Sequence, residues 1–161
     1  MKLKSIVTII VTAAVGFSTT GCSWHEHHEK AHYAPGLGEI MSLTSMRHAK
    51  LWFAGQGRNW VLADYELEEL REGFEDAVKF HPTHKDIKEP IAQLIAKTMD
   101  DSMSQLEKAI KAKNQDLFTQ HFDSVTAGCN ACHQVSEFGF NIVTRPTFNP
   151  FANQAFSTST K

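Results

Sequence analysis

Four stretches in which apolar residues recur at three- and four-residue steps constrain this chain more than anything else in it. In the first, Leu37, Ile40, Met41, Thr44, His48, Leu51 and Trp52 share one helix face, and Gly55 and Gly57 end the helix. A second helix starts at Asn59 or Trp60 and turns Ala63, Leu67, Leu70, Phe74 and Ala77 inward. It stops at His81-Pro82, since proline disfavours helix in the residue before it. Residues 82–89 form a polar connection. Pro90 suits a first helical position, where its missing N–H costs nothing. The third helix carries Ile91, Leu94, Ile95, Thr98, Ser102, Leu106 and Ile110 on one face. Asn114 is placed to cap the fourth, which turns Leu117, Phe118, Phe122, Val125, Cys129, Cys132 and His133 inward and runs to Gly139. No segment alternates like a strand. The expectation is an all-α, antiparallel four-helix bundle over residues 37–139.

The chain before and after the bundle has a different character. Lys2 and Lys4, an apolar run from Ile6 to Phe17 and small residues up to Gly21 form the pattern of a signal peptide over 1–21. The run is too short for a comfortable transmembrane span. Gly21-Cys22 resembles the cleavage point of a bacterial lipoprotein signal. That resemblance implies lipidation of Cys22 and a periplasmic protein anchored to a membrane, the outer rather than the inner one given Ser23 beside it. Plain cleavage would instead leave Cys22 as a free thiol, a reactive liability outside the cell. Residues 22–36 are then a histidine-rich tether closed by Pro35-Gly36, whose His25, His27, His28 and His32 serve either as a soluble spacer or as zinc or copper ligands. Residues 140–161, with Phe140, Phe148, Phe151 and Phe156, form a tail expected to pack over the bundle and fray past Phe156. The net charge of −2 and the lack of a basic stripe argue against nucleic acid as a partner.

Cys129-Asn130-Ala131-Cys132-His133 is the haem-attachment pattern. Two thiols about one helical turn apart reach the two vinyl groups on one porphyrin edge, and the adjacent His133 takes one axial position on the iron. A zinc site would need a third and fourth ligand, and His121 stands alone. A thioredoxin-like redox pair would need a strand–helix context. Three cysteines cannot all pair internally; one lipid and two haem thioethers use all of them.

The motif lies late in the chain and no methionine follows it: the five are Met1, Met41, Met46, Met99 and Met103. That layout excludes a class I cytochrome c. With Cys129, Cys132 and His133 on the last of four helices, residues 37–139 resemble the class II c-type cytochromes, the cytochrome c-prime group. The resemblance implies one covalent haem c between the first and fourth helices, and frequent homodimers. Where that group carries an aromatic and then a basic residue after the histidine, this chain has Ser136 and Glu137, so Arg145 becomes the candidate to neutralise the haem propionates. Arg47 to Gly55, with Asn59-Trp60, Leu62-Ala63 and Tyr65-Glu66-Leu67, is also similar to a group of uncharacterised small bacterial monohaem proteins.

The other face of the iron needs a partner from the first helix. With Ala54 level with Gln115 in an antiparallel pair, the Cα facing His133 falls near residues 40–44, which contain Met41. Met41 is either the sixth ligand or core filler. His48 is the alternative, about 10 Å farther along. Trp52, Trp60 and Tyr65 are expected to make packing contacts, Glu66, Glu68, Glu69 and Glu72 a solvated face, and His81 and His84 an exposed loop.

These features point to a periplasmic electron-transfer cytochrome that exchanges electrons with redox partner proteins, not to an enzyme. A five-coordinate haem protein that binds or senses NO or CO is the alternative, and a metal-binding lipoprotein working through its tether stands behind it. A haem peroxidase would need a distal histidine with a partner, for which His48 is the one internal candidate.

Overall fold

Helix ends are set by what satisfies their free backbone groups. The computed structural model describes residues 33–85 and 87–158. The expectations for the signal peptide, Cys22 and the tether histidines His25, His27, His28 and His32 lie outside those residues. Helices α1 (Leu37–Gln56), α2 (Trp60–Phe80), α3 (Ile91–Lys111) and α4 (Gln115–Val135) follow one another, with no strand among the described residues. The Asn59 side chain accepts from the Leu62 N–H, and that of Asn114 from the N–H groups of Asp116 and Leu117.

Three helices close in the same way, with a left-handed residue that is not glycine: Arg58 after α1, Lys113 after α3 and Glu137 after α4. In each case the next N–H reaches back into the last turn: Asn59 to the Ala54 carbonyl, Asn114 to Ala109 and Phe138 to His133. This paired-bond closure satisfies two carbonyls and reverses the chain. It ends α4 at Val135, short of the expected Gly139.

Thr44 backs onto Gly73, Arg47 donates to the Glu69 carbonyl at 2.6 Å, and Lys50 lies 3.9 Å from Glu66. Partner numbers fall on α2 as they rise on α1, so the two run antiparallel. Between α1 and α4 the order is again reversed: His48 meets Thr126, and Trp52 meets Phe122 and Phe118. The Trp52 and Phe122 rings lie 4.9 Å apart, and Trp60 sets its edge on Phe118. Gly55 has no room for a side chain, because a Cβ there would run into the Phe118 ring. Burying an aromatic ring is worth about 1.5–3 kcal/mol, against about 0–1 kcal/mol for an exposed ion pair such as Arg145–Asp123. The aromatic stack therefore sets the α1–α4 register.

The core has two parts. A large cluster joins Leu51, Trp52, Leu67, Leu70, Met99, Leu106, Phe118 and Phe122; a small one joins Ile40, Ala77, Ile91 and Leu94. The tail packs as expected where Phe156 is buried and Phe53 and Phe151 meet it, while Phe140 and Phe148 are exposed.

Four expectations need correction. Leu117 is exposed because it lies outside the Phe118–Phe122 face, and Tyr65 is exposed on the outer side of α2. His81 is half-buried and donates to the Pro35 carbonyl at 2.8 Å, with His84 edge-on against its ring. Glu66 is only 2% exposed, on the same side of α2 as Ala63 and Leu70.

Burial raises the Glu66 carboxyl above its ordinary 4.5, with Lys50 working in the opposite direction. A carboxyl whose folded value is raised favours the native state below about 4.5 and loses that advantage as pH rises through its folded value. Glu66→Gln should therefore melt above the parent at pH 7, and the gap should shrink as the pH falls toward 4.5 and stay level below it. A gap that is constant with pH would contradict this.

Candidate functional site

The last two turns of α4 carry the site. Cys129 lies against the large core cluster and Cys132 against the small one, so the two sulfurs sit where the core divides. Both are free and half-buried. Burial pushes the Cys129 thiol up to about 12, with Cys132 adding to the rise, and burial also raises Cys132. The Ser136 and Thr98 hydroxyls beside Cys132 work against that rise. A thiol-exchange centre needs a lowered thiol value. These thiols have the opposite environment. Around them the backbones come close: Gly128 presses on the Thr98 carbonyl and on Met99.

His133 occupies the neighbouring face of the same turn. Its Nδ1 lies 2.6 Å from the Asn141 carbonyl oxygen. A carbonyl can only accept, so Nδ1 carries the proton and Nε2 keeps its lone pair. Histidines that bind metals are commonly held this way, the far nitrogen donating to a carbonyl so that the ring's tautomer and orientation are fixed.

The Asn141 carbonyl is placed by a lock that sequence reasoning missed. Asn130, one of the two residues between the cysteines, donates through Nδ2 to the Val143 carbonyl at 2.9 Å. Its Oδ1 accepts from the Val143 N–H at 2.8 Å. This two-way bond folds the tail back along α4, beginning at the Glu137 turn. Nothing local marks the pairing, because it joins residues thirteen apart across a chain reversal.

The tail continues back to Arg145, whose Nε donates to Asp123 at 3.0 Å while the guanidinium lies 4.7 Å over the Trp52 ring. Arg145 is thus committed two turns before Cys129, away from the motif. Met41 is half-buried against the small cluster, which Cys132 also touches. His48 is 3% exposed, with its ring 4.5 Å from that of Phe122 and Nε2 2.8 Å from Thr126 Oγ1. Thr126 spends its own proton on the Phe122 carbonyl, so it accepts from His48. Burial lowers the imidazole to about 4, which keeps it neutral near pH 7.

Cys129, Cys132 and His133 could hold a covalent haem: two inward thiols at a division in the core, beside an imidazole fixed with Nε2 free. Among the described residues no group of three or more His, Cys, Asp or Glu side chains is arranged to hold a metal ion by itself. The cysteine pair therefore finds no further zinc ligands there. Comparison with known proteins returns no matching family model, curated relative or solved structure.

Asn130→Ala removes both bonds to Val143, each worth about 0.5–1.5 kcal/mol net. Amide exchange at Val143 and Phe138 should accelerate while that of Leu106 and Phe122 stays unchanged. Equal exchange in parent and variant would show that the lock does not hold the tail.

Proposed function

We propose that this chain is a monohaem c-type cytochrome that carries electrons in the periplasm. The observation that carries the reading is the His133 imidazole, fixed through Nδ1 by the Asn141 carbonyl directly after two inward-facing cysteines. Bound haem would supply a one-electron iron couple. The chain's own residues do the rest. Cys129 and Cys132 retain the group against loss outside the cell, and His133 presents Nε2 to the iron. The two apolar clusters on either side would keep water from the bound group, which lowers the reorganisation that accompanies electron transfer. Redox partner proteins, a lipid anchor at Cys22 and a homodimeric state belong to the same proposal.

A cell that attaches haem to CxxCH motifs should yield a coloured protein whose haem stays with the denatured chain on a gel. Cys129→Ser and Cys132→Ser should each lower the haem carried per chain several-fold, and the double variant should carry no covalent haem. Equal haem staining in the parent and the double variant would contradict the assignment.

A further inference from the structure

We infer that Asn130 is a positioning residue that lowers the reduction potential of the iron, acting through the tail and His133. The inference rests on the haem reading above and goes beyond it by naming what sets the strength of the histidine ligand.

Asn130 is costly where it stands. It lies inside α4, where asparagine is a poor helix former because its amide competes for backbone groups. The spacing of Cys129 and Cys132 asks nothing of it, since any residue would keep them one turn apart. Its amide is nevertheless fully used on one residue. Nδ2 donates to the Val143 carbonyl at 2.9 Å, and Oδ1 accepts from the Val143 N–H at 2.8 Å. A side chain with a single polar atom could not make both bonds.

The pairing reaches His133. Asn130 and His133 are three residues apart and share a face of α4, so the tail bonded to the first lies beside the second. Asn141 precedes Val143 by two residues and is pinned on its other side as well, because its N–H donates to the Phe138 carbonyl at 2.8 Å. Its carbonyl oxygen is thus held between two fixed points, 2.6 Å from His133 Nδ1. The next hold on the tail, Arg145 on Asp123, is half-exposed and lies further back along α4, too weak and too distant to fix Asn141 by itself.

A carbonyl that accepts from Nδ1–H makes the opposite nitrogen a more basic ligand. A more basic ligand favours ferric over ferrous iron, and hydrogen bonding around the ligands is one of the levers on a haem potential. Water could also accept from Nδ1, but with neither a fixed distance nor a fixed direction. The tail supplies both, and Asn130 supplies the tail.

The test is a redox titration of the natively matured, full-length haem protein. Asn130→Ala changes no charge, so any shift reflects the altered hydrogen bonding. It should favour the reduced state about tenfold, a rise of about 59 mV for one electron. Asn141→Ala keeps the backbone carbonyl and should match the parent. An unchanged or lowered potential in a folded, haem-loaded Asn130→Ala would overturn the inference, as would an equal rise in Asn141→Ala. Both results leave haem attachment intact. Should Asn130→Ala take up no haem, the nitrogen-15 shifts of the His133 ring in the unloaded full-length chain decide the matter. The Nδ1–H tautomer alone in the parent, with a mixture in the variant, supports the inference; the same tautomers in both overturn it. A parent with no covalent haem is a separate result and sinks the haem reading with it.

Discussion

The hydrogen bond from His133 Nδ1 to the Asn141 carbonyl, 2.6 Å long, is what the arrangement of this end of the molecule depends on. It does two things. It leaves Nε2 as the only lone pair on the ring, and it stops the ring from turning about its Cα–Cβ bond. The carbonyl can be there because α4 ends abruptly. Glu137 takes a left-handed conformation, the Phe138 N–H returns to the His133 carbonyl, and the chain reverses so that Val143 meets Asn130. Helix end, tail path and imidazole orientation are one structural unit.

The rest of the bundle holds that unit at a fixed height. Trp52, Phe118 and Phe122 lock α1 against α4 through buried aromatic contacts, whereas the tail's Arg145–Asp123 pair is half-exposed and contributes little. Above the stack the core divides, and the two cysteines face the division from α4. A flat apolar group is accommodated more readily at such a boundary than within one continuous, close-packed cluster, where inserted volume costs about 1–3 kcal/mol or more in strain.

Most of the fold could be read from the sequence, because four amphipathic periods and the Asn59 and Asn114 caps are local signals. The spacing of Cys129, Cys132 and His133 was equally legible, because it is local to one turn of α4. What escaped depended on distant partners. The end of α4 was placed at a glycine, yet the left-handed residue is Glu137, held by bonds back to the preceding turn. Glu66 has the identity of a surface residue but a position on the inner side of α2, and the cations Lys50 and Arg47 on another helix explain how it is tolerated there.

The central claim is chemical, and the mass of the intact chain tests it most directly. Protein matured in a cell that attaches haem, then denatured and freed of non-covalent groups, should have the mass of the processed polypeptide plus one haem, and should remain red. A colourless chain with the mass of the processed polypeptide alone would contradict the account.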